Sequence, residues 1–77
     1  MEINLLSFGQ AADITGKDTL RIPDVKNTNQ LNQFLAEAWP QLQSIKYSIA
    51  VNKKMIQENT ALHNDDTVAI LPPFSGG

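Results

Sequence analysis

Thr28-Asn29-Gln30-Leu31-Asn32-Gln33-Phe34-Leu35-Ala36-Glu37-Ala38-Trp39-Pro40 is the stretch on which the fold turns. Leu31, Phe34, Leu35 and Ala38 follow one another at spacings of three and four, which lays one apolar stripe along a helix. Thr28 is read as the N-cap, its hydroxyl accepting from a free backbone N–H of the first turn. Pro40 ends the helix, because it has no N–H to donate and its ring restricts the residue before it. Trp39, at that end, is read as cover for the core rather than as a ligand contact. A single helix with one apolar stripe needs a sheet to lie on, so the flanking segments decide the class.

Those segments alternate with the period of a strand. Glu2 to Phe8 reads as a first strand, with Ile3 and Leu5 on one face and Leu6 and Phe8 on the other beside Glu2 and Asn4. Gly9 to Gly16 is a connection with room for one helical turn around Ala11, Ala12 and Ile14. Thr19 to Pro23 is a second strand, expected to pair with the first as a hairpin. Beyond the helix, Tyr47 to Asn52 has the strand alternation Tyr47, Ile49, Val51, and Asn52-Lys53-Lys54 turns into a short strand at Met55 and Ile56. Asn64-Asp65-Asp66 is a second turn, rich in side chains that bond their own backbone. Thr67 to Leu71 closes the pattern, with Val68 and Ile70 inward. Strand, strand, helix, strand, short strand, strand is an α+β order. It is compatible with a β-grasp, or ubiquitin-like, arrangement: a mixed sheet of about five strands with one main helix across it.

Composition excludes several function classes. Seventy-seven residues make one small domain, and 42% hydrophobic residues favour a folded chain. A net charge of −2 offers no basic footprint for nucleic acid. No apolar run is long enough for a membrane span and no signal peptide is recognisable, so a cytoplasmic location is expected. With no cysteine, the chain has no disulfide, thiolate metal site or thiol nucleophile. His63 stands alone beside a turn, and Asp65-Asp66 lacks the longer carboxylate loop of a calcium site, so no metal is expected. Lys46, Lys53 and Lys54 read as solvated lysines, and neither Ser7 nor Ser75 has a base at a recognisable spacing.

The remaining feature is the end, Pro72-Pro73-Phe74-Ser75-Gly76-Gly77. The paired prolines favour an extended path, so residues 72–77 are expected to form a tail that projects from a domain spanning residues 1–71. Six residues reach roughly 20 Å when extended. Gly76 and Gly77 lack Cβ and fit a channel closed to other residues. Two readings stand at this point: a frayed terminus, or an arm whose reactive group is the main-chain carboxylate of Gly77.

The chain resembles the small, sulfur-carrier subunits of molybdopterin synthase. The resemblance rests on Phe8-Gly9-Gln10 with Asp13-Ile14-Thr15-Gly16, on Ala50-Val51-Asn52, on Asp66-Thr67-Val68-Ala69 and on the Pro72–Gly77 ending. The family often has Asp-Gly-Asp where this chain has Asn64-Asp65-Asp66, so Asp65 is expected to take a positive φ, which Asp tolerates better than most residues.

That resemblance implies a function. An ATP-dependent adenylyltransferase, similar to ubiquitin-activating enzymes, would convert the Gly77 carboxylate to an acyl-adenylate. A sulfur donor protein would displace AMP and leave a thiocarboxylate. Pro72, Pro73, Phe74, Ser75 and Gly76 would thread into the large subunit of the synthase, in a heterotetramer, for sulfur transfer to cyclic pyranopterin monophosphate. Phe8, Met55 and Leu71 would contact that subunit. The chain itself would bind no cofactor, ATP being used by the activating partner. A carrier for thiamine or tRNA thiolation, a modifier attached to lysines, and a β-grasp interaction module without terminal chemistry are the alternatives.

Overall fold

Apolar residues at every second position of the strands, set against an apolar helical stripe, give a sheet covered on one side. The computed structural model describes residues 2–71; Met1 and the expected tail, Pro72–Gly77, lie outside the described residues. The elements are β1 (Glu2–Ser7), α1 (Gln10–Thr15), β2 (Thr19–Pro23), α2 (Thr28–Ala38), a 3-10 helix (Pro40–Ser44), β3 (Ser48–Val51), β4 (Lys54–Ile56) and β5 (Thr67–Leu71). The strands form one sheet in the order β2-β1-β5-β3-β4. β1 and β5 are parallel, with Leu5 opposite Val68 and Ser7 opposite Ile70. The other pairs are antiparallel. This is the β-grasp arrangement, and the expected β1–β2 hairpin is present.

Ile3, Leu5, Ile22, Ile49, Val51, Val68 and Ile70 line the covered face, and Leu31 and Leu35 of α2 join them in one buried cluster. Ala11 of α1 and Leu42 of the 3-10 helix complete its margins. Gly16 ends α1 in the left-handed region at φ 80°, its N–H donating to the Ala12 carbonyl at 2.8 Å. No other residue type adopts that conformation so readily. No helix among the described residues is long and apolar enough to cross a membrane.

Details of the helix region and of the approach to β3 differ from the sequence reading. The N-cap is Asn27, whose side chain accepts from the Gln30 N–H at 2.8 Å. Thr28 is instead buried, its hydroxyl accepting from the Thr60 N–H at 2.9 Å and donating to Asn59 Oδ1. It therefore pins the loop before β5 to the start of α2. Ala38 is exposed rather than on the buried stripe, because Trp39 caps the helix and folds its ring edge-on to Phe34, centroids 6.5 Å apart. Pro40 stops α2 as expected but also opens the 3-10 helix, a turn whose first position needs no N–H. Tyr47 falls just before β3, and its hydroxyl donates to Asn32 Oδ1 at 3.0 Å.

Candidate functional site

The uncovered face of the sheet carries the alternate residues of each strand. Its polar half lies over β1 and β2. There the Arg21 guanidinium donates to Glu2 Oε1 at 2.8 Å, to Asn4 Oδ1 at 2.7 Å and to Asp65 Oδ1 at 3.2 Å. Asp65 holds φ 67°, as its place in the turn led us to expect.

The other half is apolar. Leu6, Phe8, Ala50, Met55, Ala69 and Leu71 line a shallow groove of about 500 Å³. Phe8 is 46% exposed and Met55 49%, the two large hydrophobic side chains most open to solvent among the described residues. Leu71 is half-buried. The three residues implicated by the resemblance thus border one groove. Phe8 follows the last residue of β1, and Leu71 is the last residue of β5. Met55 sits on the edge strand β4, directly across the ladder from Ala50. Gly77, Gly76, Ser75, Phe74, Pro73 and Pro72 lie outside the described residues.

Sequence reading missed how the groove's far end is built. The β3–β4 turn has positive φ at Asn52 (49°) and Lys53 (72°), the backbone of a tight hairpin whose twist matches the strands. Asn52 then reaches across to β5. Its Nδ2 donates to Asp66 Oδ1 at 3.0 Å, its Oδ1 accepts from the Thr67 N–H at 2.9 Å, and its own N–H donates to the Thr67 carbonyl at 2.7 Å. The Ala50-Val51-Asn52 and Asp66-Thr67-Val68-Ala69 segments, noted separately in the sequence, are two halves of this clasp. The Asn52 amide first, then the His63 backbone N–H, hold the Asp66 carboxyl below the usual carboxylate range. Lys53 borders the groove beside Asn52 and Thr67.

His63 Nδ1 stands 3.6 Å from Asp66 Oδ2, with its side chain largely in solvent. Among the described residues there is no group of three or more side chains suited to hold a metal. Ser7 Oγ is fully buried and has no hydrogen-bond partner among the described residues. It points to the covered face, away from the groove. What the site offers chemically is an apolar contact surface with one cation at its rim, beside the strand that leads to residue 72.

Comparison with known proteins agrees over the whole length. The molybdopterin synthase sulfur carrier subunit of Chlamydomonas reinhardtii is 32% identical over 83 residues, covering 100% of both chains. A chain of the complex of subunits 1 and 2 of the molybdopterin-converting factor from Helicobacter pylori superposes with a TM-score of 0.73 at 26% identity, covering 100% of both chains. The small archaeal modifier protein 1 of Methanosarcina acetivorans superposes with a TM-score of 0.85, covering 99% of this chain and 96% of that one. At 21% identity that likeness concerns the fold alone. The ThiS family model matches residues 5–77. The chain belongs to the ThiS family, in keeping with the resemblance carried by its motifs.

Proposed function

We propose that this chain is the sulfur-carrier subunit of a molybdopterin synthase, bearing the transferred sulfur on the carboxyl of Gly77. The observation that carries the reading is end-to-end similarity to a curated sulfur carrier subunit, running through the Gly76-Gly77 terminus. The apolar groove supports it, since a small domain that leaves Phe8 and Met55 in solvent has a surface suited to a partner.

The chemistry follows from the weakness of a carboxylate as an electrophile. An activating partner transfers AMP from ATP to the Gly77 carboxylate and releases pyrophosphate. Sulfide-level sulfur delivered by the donor then attacks the acyl carbon, the acyl–phosphate bond breaks and AMP leaves, which gives the thiocarboxylate. In the large subunit this sulfur passes to cyclic pyranopterin monophosphate. The catalytic side chains belong to the partners. This chain supplies the docking face and the reusable end.

The test is intact-protein mass spectrometry after incubation with the activating enzyme, ATP and a sulfur source. The expected result is exchange of one oxygen for sulfur, mapped to Gly77 by fragmentation and thiol-selective alkylation. Absence of that exchange, with the activating enzyme shown competent on another carrier, would overturn the reading. Deletion of Gly77 is expected to abolish turnover, whereas an interaction module would lose almost nothing.

A further inference from the structure

The chain has no cysteine, so its side-chain sulfur is confined to Met1 and Met55. Met55 is 49% exposed, faces the small Ala50 across the ladder and borders the apolar groove. It is absent from the buried cluster, so the fold does not depend on its packing. Oxidation susceptibility of a thioether follows its exposure, and the sulfoxide replaces a soft apolar group with a strongly polar one.

We propose that Met55 is a redox-sensitive modification site, at which oxidation by hydrogen peroxide blocks docking of the apolar face while leaving the domain folded. The inference rests on the reading of that face as the contact for the large subunit. In the step, the Met55 sulfur attacks one peroxide oxygen and the O–O bond breaks. An S–O bond forms, sulfur loses two electrons, and the departing hydroxide takes the remaining proton to leave as water. The sulfoxide oxygen keeps its water while the face is free. Docking strips that water and returns no donor from an apolar counterpart, which costs binding.

The experiment titrates the full chain with hydrogen peroxide, maps oxidation by peptide mass spectrometry, and measures affinity for the molybdopterin synthase large subunit. Met55→Leu, which keeps the apolar volume without the sulfur, is carried in parallel. Oxidised wild type is expected to bind at least about tenfold more weakly, with its melting temperature unchanged and Met55→Leu unaffected by peroxide. Full oxidation at Met55 with unchanged affinity would overturn the inference while leaving the proposed function intact. Equal loss in Met55→Leu would also overturn it, by assigning the effect elsewhere. Failure of the untreated chain to bind the large subunit would overturn the docking reading and this inference together.

Discussion

Asn52 and Asp66 form a side-chain hydrogen bond of 3.0 Å that ties the β3–β4 turn to the start of β5. Because the bond favours the carboxylate form, the Asp66 pKa is lower in the folded chain than in the unfolded one. A depressed carboxyl contributes stability that is fully present above the unfolded value, about 3.9. That stability is lost as pH falls through the folded value. Asn52→Ala is therefore expected to destabilise at neutral pH, and the gap from wild type is expected to narrow in denaturation series taken below about pH 4. A remainder persists in acid, since the Thr67 N–H loses its acceptor at any pH. A gap independent of pH would show that Asp66 is not coupled to the turn.

Ser7→Ala is expected to raise stability by about 1 kcal/mol. The hydroxyl is buried, gives up its water on folding and gains no partner among the described residues. Alanine removes the polar atom at the cost of a void of one oxygen. Chemical denaturation checks this, and a loss of stability would mean that the hydroxyl has an acceptor in solution.

The two ends of the α2 entry separate by their roles. Asn27→Ala removes a solvent-accessible cap and is expected to cost about 1 kcal/mol. Thr28→Val keeps the buried shape but orphans the Thr60 N–H, with an expected cost of about 1–3 kcal/mol. Hydrogen exchange gives a second readout: Thr28→Val should raise exchange at Thr60, and Asn27→Ala at Gln30. The reverse pattern would restore Thr28 as the cap.

Phe8→Ala is expected to leave stability within about 0.5 kcal/mol, since the ring sits outside the buried cluster. Affinity for the large subunit is expected to fall at least about tenfold, as for an aromatic anchor at an interface. Calorimetric titration beside thermal melts separates the two effects. Unchanged affinity would place the contact elsewhere.

The alternation of Ile3 and Leu5, of Val68 and Ile70, and the Leu31–Leu35 spacing made the sheet and its helix legible in the chain, because burial on one face imposes a period. The positive φ of Asp65 was legible only through the resemblance, whose members often hold glycine at that place in the turn. The N-cap was not: Asn27 and Thr28 are both good caps, and the choice was made by Thr60 and Asn59, some thirty residues away. The Asn52 clasp was hidden in the same way, joining two segments that local pattern treats separately. Phe8, Met55 and Leu71 were named by resemblance, while Leu6, Ala50 and Ala69 emerged as their neighbours only once the ladder register set them side by side.

β5, the last strand among the described residues, lies at the centre of the sheet between β1 and β3. Without it, β1–β2 and β3–β4 are two separate hairpins, each too small to persist alone. Ribosomal synthesis therefore delivers the keystone after everything it must hold, and sheet assembly waits for residues 67–71 to emerge. Any fragment ending before Thr67 is left unassembled and open to proteolysis, so the apolar groove, two of whose walls are Ala69 and Leu71, exists only on chains translated through residue 71.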